Sequence, residues 1–109
     1  LLLDIVPEGE GDRSRIASDA IAGALKTRPP AFMDPADVAL LSVGNIEDDL
    51  ELLGECDWII EAVTEKLEVK RGIYERIAPH RRPGSIISSN TSGISLATLT
   101  EGFELRHCT

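Results

Sequence analysis

Apolar residues in this chain fall into short unbroken runs, separated by segments in which they recur every three or four positions. The runs are LLLDIV (1–6), VALLSV (38–43), DWIIEAV (57–63) and SIISS (85–89). All are of strand length, with Pro7 closing the first and Pro83-Gly84 forming a turn before the last. In SRIASDAIAGALK (14–26), Ile16, Ala20, Ile21, Ala24 and Leu25 share one helical face, and Ser14 or Asp12 is placed to cap it. In LEVKRGIYERIAPH (67–80) the inner face is Leu67, Ile73, Tyr74 and Ile77. A short helix is expected around 48–53 and another over ISLATLTEG (94–102), while TRPPAFMDPAD (27–37), with three prolines, is a connection. Strand and helix alternate, and the strands read as continuous rather than alternating apolar runs. That combination predicts an α/β fold with a parallel sheet covered on both faces.

Composition narrows the partners. With 109 residues the chain is of single-domain length, and a net charge of −8 without a basic stripe argues against nucleic acid or anionic lipid. No apolar run is long enough to span a membrane, and LLLDIV lacks the basic start of a signal peptide. Cys56 and Cys108 are too few and too far apart for a disulfide framework, and they have no His or Cys at metal-ligand spacing. They read as free thiols in a reducing cytoplasm, and no metal site is expected. The sequence opens inside an apolar run without Met and stops at FELRHCT, which suggests a piece of a longer polypeptide.

Candidate chemistry gathers where strands end, because ligands of open parallel sheets bind at the carboxyl ends of the strands. Loop 9–14, GEGDRS, sits where a G-x-G-x-x-G turn would sit, but it has Ser14 in the third position and is surrounded by Glu8, Glu10 and Asp12. It therefore reads as a solvated acidic loop. Asp4 lies toward the C-terminal end of the first strand, as a turn cap or as the acid that accepts hydrogen bonds from an adenosine ribose. Glu61 interrupts an apolar strand, and Glu65 and Lys70 follow it at a spacing that does not imply a simple surface pair. SSNTSG (88–93) offers hydroxyls and an amide at the next strand end, either to hold a ligand or to build a Ser/Thr turn in which Ser92 or Ser95 caps the next helix. His80 and His107 have no partners at catalytic spacing.

Together LLDIVP, GNIEDDLELL, CDWIIEAVTEKLEVK and GSIISSNTSGIS resemble the NAD-binding domain of L-3-hydroxyacyl-CoA dehydrogenases, most closely that of bacterial fatty-oxidation proteins, which are often fused to an enoyl-CoA hydratase-like region. The resemblance covers nearly the whole chain. It implies a Rossmann-like, doubly wound, mainly parallel sheet, of which residues 1–109 are a part lacking the first strand and the Gly-rich turn. It also implies an NAD-dependent oxidation of a 3-hydroxyacyl-CoA in fatty-acid β-oxidation. Asp4 would bind the adenosine ribose, Ala62 and Val63 would line the dinucleotide cleft, and Glu65 and Lys70 would meet the nicotinamide half. Asn90 would sit near the nicotinamide, and Ser92 would orient both cofactor and the substrate's 3-oxygen. The family's His base and its Glu partner, and a helical domain that supports a homodimer, would lie outside this chain, and the stretch alone would be inactive. Two rivals remain: another NAD-linked hydroxy-acid dehydrogenase, distinguished by the segment that follows, and a non-catalytic Rossmann module, favoured if no G-x-G-x-x-G turn lies upstream.

Overall fold

The computed structural model describes residues 1–103, so the expectations for His107 and Cys108 lie outside the described residues. The chain divides into two compact units, residues 1–50 and 51 onward. Each is built on a pair of parallel strands.

The first unit holds β1 (Leu2–Asp4), α1 (Arg15–Ala24), a 3-10 helix (Pro35–Leu40) and β2 (Val43–Asn45). The strands pair parallel, with Leu2 opposite Val43 and Asp4 opposite Asn45. α1 packs on both strands, and its fully buried residue is Ala17, a small side chain that lets the helix approach closely. The inner face is thus rotated from the expected one, with Ala20 exposed and Leu25 at the rim. The expected strand over 38–43 is a correction. Asp34 accepts a hydrogen bond from the Ala36 amide at 2.9 Å and Pro35 takes the first helical position, so this cap starts a helix that carries Val38 to Leu40 with it. The strand begins only at Val43.

The second unit holds β3 (Trp58–Glu61), α2 (Leu67–Ile77), β4 (Ile86–Ser89) and α3 (Leu96–Thr100), with a second 3-10 helix, Leu50–Glu55, where a short helix was expected near 48–53. β3 and β4 pair parallel, Trp58 opposite Ile86 and Glu61 opposite Ser89. Gly84, with φ at +83°, makes the turn before β4. Leu53, Tyr74, Ile77 and Leu99 form the core. Arg71 of α2 donates to the carbonyls of Thr98 and Glu101 at 2.9 Å each, satisfying orphan acceptors at the end of α3. Its guanidinium also lies over the Phe103 ring. Among the described residues one face of the β3–β4 pair is left uncovered, with Trp58 and Ile60 more than 60 % exposed.

Candidate functional site at the strand ends

In the second unit, two carboxylates and one ammonium organise the carboxyl ends of β3 and β4. Glu61 is the last residue of β3. Its Oε1 accepts from Lys70 Nζ at 2.8 Å and from the Val63 amide at 2.7 Å. Its Oε2 accepts from the hydroxyls of Ser89 at 2.5 Å and Tyr74 at 3.3 Å. The side chains of Glu61 and Lys70 are each 1 % exposed. Lys70 was expected as a ligand contact or a helix-surface charge. It lies on the inner face of α2, at the helical spacing of Leu67, Tyr74 and Ile77, and so is not a helix-surface charge. Its ammonium also donates to the Val63 carbonyl at 3.2 Å and reaches Glu65 Oε2 at 3.4 Å. A buried charge is tolerated only when its hydrogen-bonding capacity is filled, and here it is.

Glu65 stands between this buried pair and the surface, with its side chain 42 % exposed. Its Oε1 accepts from the Thr91 hydroxyl and from the Gly93 amide at 3.3 Å, so it fastens the loop after β4 to the loop after β3. SSNTSG therefore divides by position. Ser89 and Thr91 turn to the carboxylates of Glu61 and Glu65, whereas Asn90 and Ser92 are exposed and their side chains bond to no described residue. The Asn90 amide donates to the Glu61 carbonyl at 2.8 Å, which fixes where its side chain emerges. Ser95, not Ser92, caps α3, accepting from the Thr98 amide at 3.2 Å. Ala62 is exposed; Val63 is half-buried, with both its N–H and its C=O engaged by Glu61 and Lys70.

The charges support one another. Burial pushes the Glu61 carboxyl up, but the donors from Lys70, Ser89 and the Val63 amide outweigh it and hold it below the usual carboxylate range. Burial likewise pushes the Lys70 ammonium down, and Glu61 and Glu65 more than reverse this. Glu65 is lowered chiefly by the Thr91 hydroxyl, and burial raises the Tyr74 phenol. The site thus carries two ionised carboxylates around one cation.

In the first unit, Asp4 ends β1, half-buried. Its Oδ1 accepts from the Ile5 amide at 2.7 Å, and its Oδ2 accepts from no described residue. The sequence reading missed the residue opposite, Asn45, which is 2 % exposed. Its Oδ1 accepts from the amides of Glu47 and Asp48, and its Nδ2 donates to Ser14 Oγ and Asp48 Oδ2 at 3.1 Å each. The only advance signal is an Asn at a strand end with acids following, the composition of an Asx turn. Asp48 in turn binds Arg13 of the acidic loop at 2.7 Å, and Arg15, the first residue of α1, donates to the carbonyls of Glu8 and Glu10. The loop is thus held by Arg15 of α1 at its carbonyls and tied through Arg13 to the turn after β2.

Each unit thus offers polar groups at its own strand ends: the first a half-buried carboxylate with one oxygen open to a hydroxyl donor, the second an exposed amide and an exposed hydroxyl on the turn after β4. Among the described residues, no group of His, Cys, Asp and Glu is arranged to hold a metal ion, and no helix is long and apolar enough to cross a membrane.

Comparison with known proteins gives the same direction as the sequence motifs. Residues 10–108 match the family described as 3-hydroxyacyl-CoA dehydrogenase, NAD binding domain. A probable 3-hydroxyacyl-CoA dehydrogenase of Deinococcus radiodurans is 45 % identical over 102 residues, covering 94 % of this chain and 30 % of its own length. One of Bacillus subtilis is 42 % identical over 116 residues, covering 94 % of this chain and 15 % of its own length. A putative fatty acid oxidation complex trifunctional enzyme of Rickettsia felis is 40 % identical over 101 residues, covering 93 % of this chain and 14 % of its own length. The chain thus spans less than a third of each of these relatives.

Proposed function

The chain belongs to the 3-hydroxyacyl-CoA dehydrogenase family, within its NAD-binding domain, and from that membership we propose that it serves an enzyme oxidising L-3-hydroxyacyl-CoA to 3-ketoacyl-CoA in fatty-acid β-oxidation. The hydride leaves C3 of the substrate for NAD, which acts as electron acceptor when bound, and the hydroxyl proton goes to a base. By the resemblance of the motifs, that base is a His held by a Glu, both outside these residues. This chain's own part is binding and orientation. Asp4 accepts hydrogen bonds from the adenosine ribose, and the Ala62-Val63 segment lines the cleft. Glu65, with Lys70 behind it, faces the nicotinamide half. Asn90 lies beside the nicotinamide, and Ser92 orients cofactor and the substrate's 3-oxygen.

The observation that carries this reading is the sorting of residues at the end of β4. Ser89 and Thr91 are engaged by the carboxylates of Glu61 and Glu65, while Asn90 and Ser92 of the same turn are exposed. The names of the relatives, fatty acid oxidation among them, support the substrate class. The same proposal includes a Rossmann domain of which these residues are a part, with its Gly-rich first turn outside them, a cytoplasmic location, and dimerisation through a helical domain elsewhere in the protein. The test is NADH formation by the full-length protein given NAD and L-3-hydroxybutyryl-CoA, with a longer-chain 3-hydroxyacyl-CoA in parallel. Turnover of either supports the reading; NAD binding without turnover of both moves the substrate to another class.

A further inference from the structure

We propose that Glu61, a residue without a place in the ligand contacts above, is the positioning residue of the nicotinamide half, acting through Lys70 and Ser89 on Glu65 and the 90–92 turn. The inference rests on the reading of Glu65 as a cofactor contact, and goes beyond it.

Glu61 is the junction of every element that shapes this rim. Through Ser89 it ties the end of β3 to the end of β4, and through its carbonyl it holds the Asn90 amide. Through the Val63 amide it closes the turn leaving β3. Through Lys70 and Tyr74 it anchors that rim to α2. Lys70 then passes the constraint outward, since the ammonium held by Glu61 is the one that meets Glu65 Oε2. Glu65 is thereby held at both oxygens, by Lys70 on one and by Thr91 and Gly93 on the other. A carboxylate on a loop would otherwise sample several rotamers, and fixing it before the ligand arrives lowers the entropic cost of binding. A buried strand end that needed only packing would carry an apolar residue at 61. A carboxylate there is tolerated because its hydrogen bonds are made, and they go either to the rim, at Val63 and Ser89, or to the helix that anchors it, at Lys70 and Tyr74.

A double-mutant cycle on NAD affinity tests the inference in the full-length protein, with NAD binding measured calorimetrically without acyl-CoA, alongside the thermal midpoint. If Glu61 acts through Glu65, Glu61→Gln and Glu65→Gln each weaken NAD binding by roughly fivefold to thirtyfold, and the double variant stays within about threefold of Glu65→Gln alone. Multiplying losses in the double variant, or a Glu61→Gln protein with a lower midpoint and unchanged NAD affinity, would overturn the positioning role. Unchanged affinity in Glu65→Gln overturns instead the assignment of Glu65 to the cofactor, whatever Glu61 does. Should Glu61→Gln not fold, Ser89→Ala, which removes a single donor to Glu61, replaces it in the same cycle with the same criteria.

Discussion

Lys70 Nζ lies 2.8 Å from Glu61 Oε1, and the two side chains, the last of a strand and an inner-face residue of a helix, are closed off from solvent together. Removing one partner leaves an uncompensated buried charge, at a cost of about 3–5 kcal/mol. Lys70→Met is therefore expected to lower the unfolding midpoint of the full-length protein sharply. The size of the loss depends on pH. In the native protein Glu61 is lowered, so its contribution is present above about pH 4.3, the unperturbed value, and fades as pH falls through the carboxylate range. Lys70 is raised, so its contribution is present below about pH 10.4 and fades as pH rises further. The deficit of Lys70→Met should then be greatest near neutral pH and shrink on acidification, where protonation neutralises the stranded carboxyl. Denaturation midpoints from pH 4 to 8 check this; a deficit independent of pH contradicts it.

Asp4→Ala addresses the ribose. Asp4 Oδ2 accepts no hydrogen bond from a described residue, and a carboxylate in the proposed ribose-binding role would disfavour a 2′-phosphate. Its removal should raise the KM for NAD by about tenfold, equivalent to roughly 1.4 kcal/mol, a magnitude normal for hydrogen bonds to a charged group. It should also narrow the preference for NAD over NADP. Steady-state kinetics with both cofactors decide, and unchanged cofactor kinetics would return Asp4 to the role of a strand-end turn residue.

Legibility in the sequence followed the strength of the local signal. The strand of DWIIEAV, the helix after it and the turn at Pro83-Gly84 were readable because apolar period, length and breakers agreed. VALLSV misled because its apolar run is overridden by a cap nine residues before its strand starts, Asp34 followed by Pro35. Glu61, Glu65, Lys70 and SSNTSG were all legible as unusual, but not as partners. Glu61 and Ser89 are opposite each other only through strand register, and Lys70 reaches Glu61 only because α2 folds back on its strand. Tyr74 read as plain core although its hydroxyl serves Glu61, and Asn45 gave almost no signal because its role is set by backbone amides that no sequence pattern prints.

Gly44 probes the turn around Asn45. A Cβ on Gly44 would lie 2.6 Å from Asp49 Oδ2 and 2.8 Å from Leu3 Cδ2. Asp49 cannot simply swing aside, because the same oxygen accepts the Asn45 amide at 2.9 Å. Gly44→Ala is expected to destabilise by about 1–3 kcal/mol, the range of overpacking in a close-packed site. Thermal unfolding measures this, and a midpoint equal to the parent's would mean that β2 shifts freely against β1.

Ser92→Ala separates chemistry from architecture. Ser92 is exposed, bonds to no described residue and caps no helix, since Ser95 holds that position on α3. The substitution should leave the thermal midpoint within about 0.5 kcal/mol of the parent's stability, as surface changes do. If its hydroxyl orients the substrate's 3-oxygen against the cofactor, kcat with acyl-CoA should fall by about tenfold to a hundredfold, and KM for NAD should change far less. By contrast Ser89→Ala, next door but turned to Glu61, should lower the midpoint as well. Equal kcat in Ser92→Ala and parent would remove Ser92 from the site and leave its hydroxyl a surface feature of the turn.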